Sequence, residues 1–251
     1  MNTSQRKSDH IHIVLNEDIT SGIFTGLEKY QFEHNALPEI DFNEINLSTS
    51  FLGHSLRMPL LISSMTGGTK EAEQINRILA TVAQESGIAL GVGSLRAGME
   101  DSSVMDSFRV RQYAPDILLF ANIGAVQLNY GFTSRECQLM VDSIQADALF
   151  LYLNPLQEAL QPEGNTNFSG LLKKIETICK RITVPVVVKE VGWGISGTVA
   201  RRLESAGVAA IDVAGAGGTS WSQVEKFRIR DEMRRRVAAE FVNWGLPTAE
   251  C

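Results

Sequence analysis

Residues 185–214 read PVVVKEVGWGISGTVARRLESAGVAAIDVA, and this stretch decides the fold. Pro185 opens a short apolar run ending at Lys189-Glu190, VGWGIS is a glycine-rich loop, and residues 197–206 place apolar side chains three and four apart. A second apolar run, AAIDVA, follows at once. This is one strand, loop and helix followed by the next strand, the repeating unit of a parallel sheet covered by helices.

Upstream, the same pattern recurs. MPLLIS, GIALGV, DILLFA and ALFLYL are further strand candidates, with helical periodicity over Lys70–Glu85, Ser103–Tyr113, Thr133–Ile144 and Leu171–Arg181. Strands beginning near Met58, Gly87, Asp116, Ala148, Pro185 and Ala209 are spaced by about 29, 29, 32, 37 and 24 residues, one βα unit each. Long polar or glycine-rich loops follow the strand C-termini, whereas the returning loops are short. That asymmetry favours a (β/α)8 TIM barrel, whose active site is built from those loops, over a doubly wound sheet, since TGGT at 66–69 is not a G-x-G-x-x-G fingerprint. Six units are legible, residues 58–251 forming a partial barrel and residues 1–57 an N-terminal substrate-binding arm and decoration. After the sixth strand the sequence gives one charged helix, about Gln223–Val242, and no seventh or eighth strand, which leaves two unpaired sheet edges.

Composition narrows the function. The 251 residues carry 23 basic and 29 acidic side chains, a formal charge of −6, which disfavours general attraction to nucleic acid or an anionic membrane. No apolar run is long enough to span a bilayer and the N-terminus lacks a signal peptide's apolar stretch, so a cytoplasmic protein is expected. Cys137, Cys179 and Cys251 are read as reduced thiols. Walker, H-E-x-x-H, G-x-S-x-G and Cys-x-x-Cys motifs are all absent.

Several strings could carry chemistry. Arg6-Lys7-Ser8-Asp9-His10 is either a solvated tail or a flexible arm that folds over a phosphate or diphosphate. Ser63-Ser64-Met65-Thr66-Gly67-Gly68-Thr69 is either a ligand-free turn or a backbone that approaches a ligand closely. Arg96, after Gly93-Ser94-Leu95, pairs with a helix acid or binds an anion. Asn122 and Lys189 end strands at the barrel mouth, Lys189 either ion-paired to Glu190 or Asp212 or facing an electron-rich ring or anionic cofactor. Asn154-Pro155-Leu156-Gln157-Glu158 and Gln161-Pro162-Glu163-Gly164 supply amides and carboxylates that suit a hard cation held by one carboxylate and substrate phosphate, or form an acidic surface loop. Trp221 and Glu225 share a helix face. The arginines at 228, 230 and 234–236, interleaved with acids and with Phe227, Met233, Val237 and Phe241, read as a solvated helix face.

In order along the chain, RKSDHI, FEHNALPEIDF, FLGHSLRMPLLISSMTGGT, GVGSLRAGMED, ANIGAVQLNYG, LNPLQEALQPEG, VPVVVKEVGWGIS, AGAGGTSW and NWGLPTA resemble one family, the FMN-dependent type 2 isopentenyl diphosphate isomerases. The resemblance implies a barrel binding reduced FMN and Mg²⁺, with NADPH or NADH as flavin reductant, that interconverts isopentenyl and dimethylallyl diphosphate. It implies a homo-oligomer, a tetramer or octamer. By motif, Arg6, Lys7, His10, Ser94, Leu95, Arg96, Asn154 and Gln157 would contact substrate, and Met65, Thr66, Gly67, Ser94, Asn122, Lys189 and Thr219 would bind FMN. Glu158 would ligate Mg²⁺, and Gln157, Trp221 and Glu225 would stand at the reacting centre. Leu95, Tyr152 and Asn165 depart from the family's usual Gln, His and Asp. The family's last two strands, with the GGIR-like and Gly-Ala loops that grip the FMN phosphate, are not among these strings. The alternatives are an FMN-dependent hydroxy-acid oxidoreductase, or a truncated, non-catalytic relative that binds phosphorylated ligands.

Overall fold

A computed structural model describes residues 3–251. The chain opens with helix α1 (Thr3–Asn16), and a small hairpin, β1 (Thr49–Phe51) with β2 (His54–Leu56), precedes the main sheet. The main sheet begins at β3 (Leu61–Ile62), followed by α2 (Lys70–Ser86), β4 (Ala89–Gly91) and the short α3 (Arg96–Glu100). Next come β5 (Leu119–Gly124), α4 (Ser134–Ile144), β6 (Ala148–Tyr152), α5 (Pro155–Leu160) and α6 (Leu171–Arg181). The last elements are β7 (Val186–Lys189), α7 (Gly197–Ser205), β8 (Ala210–Asp212), α8 (Trp221–Arg228) and α9 (Glu232–Glu240).

Strands β3 to β8 form one six-stranded sheet in sequence order, every pairing parallel. This is an α/β architecture forming an open section of a (β/α) barrel, with β3 and β8 at its edges. The six expected strands are all present. Their outer faces pack Leu90, Leu119, Leu149, Val186 and Val188 against buried side chains of the covering helices, such as Ala80, Met140, Ile144 and Ile178. Leu118, Phe120, Phe150 and Val187 form a second cluster, in which the Phe120 and Phe150 rings stack at 4.2 Å. Helix starts follow local chemistry: Thr69, Thr133, Ser196 and Asp231 each accept a backbone N–H at an N-terminus, and Thr133 with Glu136 completes a capping box.

Two expectations change. Residues 103–113 do not form an α-helix; a 3-10 helix covers Ser102–Phe108 after α3, because Asp101 caps Ser103 and restarts the chain there. The single helix expected over 223–242 is two, broken at Ile229–Asp231, where Asp231 caps Arg234. Its apolar side chains do not share one packed face, since Phe227, Met233 and Val237 are exposed while Val224, Ile229 and Ala238 are buried. Beyond β8, Pro247 forms one parallel bridge with Ala216, and Ala216 N–H donates to Leu246 O at 2.8 Å, so this segment runs beside the β8 loop without a ladder of its own.

The N-terminal arm is stitched to the same end of the sheet. Ser21 N–H donates to Gly218 O, Ser220 N–H to Ile19 O and Ala249 N–H to Thr25 O, each at 2.8–2.9 Å. Gly217 permits the approach: with φ +127° it is in the region that favours glycine, and an added Cβ would lie 2.4 Å from Thr25 N.

Candidate active site

At the C-terminal ends of the strands lies a cavity of about 270 Å³. Helix α1 lends it Arg6, Lys7 and His10; the loop after β3 lends Ser63, Ser64 and Met65; the loop after β4 lends Ser94. Asn122 comes from β5, Tyr152 from β6, and Asn154, Gln157 and Glu158 from the start of α5, with Gln161 just beyond it. Lys189, Val191 and Gly192 follow along β7, and Thr219 and Trp221 complete the wall from the β8 side. Side chains expected from separate motifs thus meet at one mouth.

Electrostatically, the wall joins three cations to one carboxylate. Burial, with Arg6 adding, pushes Lys7 down to about 8. Burial also lowers the Lys189 pKa, against the opposing pull of Asp212 and Glu190, and its Nζ donates to the Glu190 carbonyl at 2.8 Å. Among the described residues Lys189 makes no ion pair within 4 Å, so the internal-pair alternative for this lysine is not what the structure holds. Glu190 instead collects the N–H groups of Val191, Gly192 and Trp193 on Oε2, which folds the loop beside Lys189. Burial raises the Glu190 pKa despite those bonds. Burial likewise raises the Tyr152 phenol, which keeps it protonated.

A buried network backs this wall. Glu225, fully buried, accepts at Oε1 from Gln157 Nε2 (3.2 Å), Gln161 Nε2 (3.1 Å) and His10 Nε2 (3.1 Å), and at Oε2 from Arg228 (2.5 Å). Burial raises its pKa, but His10 and Arg228 together outweigh that, so it is held ionised. Burial lowers the His10 pKa in spite of Glu225, which makes the ring neutral with its proton on Nε2. The His10 ring meets Trp221 edge-on at 5.1 Å. Arg6 donates to Gln161 Oε1 at 3.2 Å. The arm is therefore a docked helix, neither a solvated tail nor free.

Some expected residues lie elsewhere. Glu225 stands behind the wall, not on it. Leu95 is fully buried in the core. Arg96 turns to Glu100 (2.7 Å) and Asn165 Oδ1 (3.0 Å) and does not line the cavity, which is the helix-acid alternative. Gly67 has a packing reason, because a Cβ there would fall 1.9 Å from the Phe108 ring, and the neighbouring Gly68 N–H donates to Ser107 Oγ and not toward a ligand. Thr66 is buried beside this turn. Ser64 and Gln161 lie in strings that the sequence marks, but neither is assigned a role there; Arg228 belongs to a solvated face by its pattern, yet its side chain is only 3% exposed.

For a cofactor the donor set is informative. Ser64 Oγ, Asn122 Oδ1 and Asn154 Oδ1 line the cavity, buried and without a protein partner, and such groups are costly unless a ligand or water satisfies them. Together with Lys189 they fit the polar edge of an anionic ring system. For a metal, no cluster of three His, Cys, Asp or Glu occurs among the described residues. Glu158 alone fits only an ion that completes its shell with substrate phosphate and water, as Mg²⁺ does.

Comparison with known proteins decides the family. Over 250 residues the chain is 56% identical to an isopentenyl-diphosphate delta-isomerase of Nostoc sp., covering 99% of this chain and 71% of that protein. The chain belongs to the isopentenyl-diphosphate delta-isomerase family. Relatives of the same name from Synechocystis sp. and Rickettsia africae are 57% and 54% identical, covering 98% of this chain and 71% and 72% of theirs. No family model matches the chain. Among solved structures, an active chimera of (S)-mandelate dehydrogenase aligns with TM-score 0.59 at 13% identity, over 88% of this chain and 72% of that one, a likeness of fold alone.

Proposed function

We propose that this chain is an isopentenyl-diphosphate delta-isomerase of the flavin-dependent type, moving a double bond by one proton addition and one proton removal. The observation that carries the reading is the cavity itself: Arg6 and Lys7 line it together with Lys189 and the unpaired side-chain oxygens of Ser64, Asn122 and Asn154. Two ligands of different character, a diphosphate and an anionic ring, account for both sets of groups.

Arg6 and Lys7 hold the diphosphate, and Glu158 shares Mg²⁺ with it. Ser64, Met65, Asn122, Lys189 and Thr219 hold FMN, with the Lys189 charge favouring its reduced, anionic ring. Bound in reduced form, the flavin supplies the acid and base that no cavity side chain offers to an unactivated alkene. Gln157 is oriented by Glu225 on its amide nitrogen and by Asn154, whose Nδ2 donates to its oxygen at 3.0 Å, so its carboxamide faces the substrate in one orientation. Trp221 and α1 exclude water from the reacting carbons. NADPH or NADH serves only to reduce the flavin. The family resemblance supports a cytoplasmic homo-oligomer, and no described helix is long and apolar enough to cross a membrane.

The test is anaerobic incubation of the chain with FMN, NADPH, Mg²⁺ and isopentenyl diphosphate, assaying dimethylallyl diphosphate, with Gln157→Ala as control. Product that requires all three additions and Gln157 is expected. Neither product nor flavin binding would reject the reading.

A further inference from the structure

Behind the cavity wall lies a residue that touches neither cavity nor sheet, yet joins three segments. Arg228, at the end of α8, donates from Nη1 to Glu225 Oε2 (2.5 Å) and from Nη2 to Glu163 Oε1 (2.7 Å), and its Nε lies 3.9 Å from Asp9 Oδ2. Glu225 is on its own helix, Glu163 follows α5, and Asp9 is on α1. Its planar fork can meet two carboxylates at once, which a lysine's point charge cannot. Through Glu225 the same guanidinium reaches Gln157, Gln161 and His10, all on the cavity wall.

We infer that Arg228 is a positioning residue for the reaction: it anchors Glu225 as the acceptor that orients Gln157 and His10, while Glu163 and Asp9 fix α1 and the turn after α5 against it. The inference rests on the isomerase reading for its kinetic consequence, and on the buried network alone for its structural one. A buried carboxylate facing only neutral donors takes up a proton far more readily than one facing a guanidinium. Protonated, Glu225 loses part of its capacity to accept, and one of Gln157, Gln161 or His10 must turn away. The charged and titratable groups around Glu225 are His10, Lys7 and Asp9 from α1, Glu163 from the turn after α5, Arg228 on α8, and from α9 Arg234, which donates to Leu160 O at 3.3 Å. Only His10 and Arg228 of these contact Glu225 directly.

The test combines two readouts on Arg228→Met, which preserves bulk without charge. In the ¹⁵N-histidine spectrum of the flavin-free protein, with His10→Gln assigning the signal, wild type should keep His10 as the neutral Nε2–H tautomer at pH 7 and above. The Met variant should lose that single tautomer in the same range. In the reconstituted enzyme, kcat should fall at least about tenfold, with its acid limb about one pH unit higher, and KM for isopentenyl diphosphate should change less than kcat. Guanidinium ion should restore part of kcat to Arg228→Ala. A folded Met variant with an unmoved His10 signal and an unmoved acid limb overturns the inference, even if its melting temperature drops. If the Met variant does not fold, Arg228→Lys decides: a kcat at least about threefold below wild type, from loss of the two-carboxylate fork, is expected, and wild-type kcat overturns it. If wild type itself yields no dimethylallyl diphosphate, the isomerase reading fails, while the His10 spectrum still decides whether Arg228 holds Glu225 in place.

Discussion

Glu158 and Asn165 are joined by a 2.5 Å hydrogen bond, the backbone N–H of Asn165 donating to Glu158 Oε2. The other oxygen accepts from Asn154 Nδ2 at 3.0 Å. The carboxylate is thus fixed in plane before any cation arrives, and each oxygen keeps a lone pair. Gly164 makes the turn possible, since a Cβ there would lie 1.8 Å from Glu158 O.

Replacing Glu158 by Gln removes the charge and sets a donor against one of those two donors, at a cost of about 1–3 kcal/mol for the unpaired group. Mg²⁺ titration by calorimetry should show affinity lost by at least about tenfold, and EDTA should abolish wild-type turnover. Unchanged Mg²⁺ dependence in the variant would place the metal elsewhere.

Lys7 carries its charge only below about pH 8. Diphosphate binding should therefore weaken as pH rises through that value, seen as a climb in KM, while Lys7→Arg should hold KM flat to about pH 9 because arginine stays charged. A wild-type KM that does not change between pH 7 and 9 would remove Lys7 from the diphosphate site.

His10 is buried, and its pKa lies below the ordinary 6.5. The unfolded chain then binds a proton that the native state refuses. Stability from this residue is fully present above 6.5 and is lost as pH falls from there through the lower native value. Urea unfolding midpoints measured across that window should decline toward acid, and His10→Gln should flatten the decline by about one proton's worth of slope.

Gly93 lies where the loops after β3 and β4 cross. An added Cβ would stand 2.3 Å from the Thr66 carbonyl oxygen, a backbone atom that cannot swing aside. Gly93→Ala should destabilise the fold by about 1–3 kcal/mol and separate Ser64 from Asn122, so that titrated FMN keeps its free-solution fluorescence. Normal flavin quenching in the variant would dissociate these loops from cofactor binding.

The barrel strands were legible because each is an apolar run closed by Gly, Pro, Asn or Asp, and burial on both faces leaves no polar alternation to confuse them. Lys189 stood out for the same reason, a cation inside such a run. Helix α1 was not legible: it docks through Arg6, Asp9 and His10 onto polar and ionic partners, and a helix that binds through polar groups lacks the apolar stripe by which helices are recognised. Arg228 was misread for the converse reason. Charge-rich sequence normally faces water, and nothing local to residues 221–240 reveals that Glu163 and Asp9 arrive from distant segments to bury it. The break between α8 and α9 hinged on one side chain, Asp231, whose capping geometry is invisible to periodicity.

The roof of the cavity joins residues 6–10 to residues 225–228, and the His10–Glu225 contact alone spans 215 positions. A chain emerging from the ribosome can assemble strands β3 to β7 in order through neighbour contacts, but its first helix has nothing to grip until α8 has been made. The contact that joins α1 to this wall therefore has to wait for α8, and until then the helix carries its cations and acids without their buried partners.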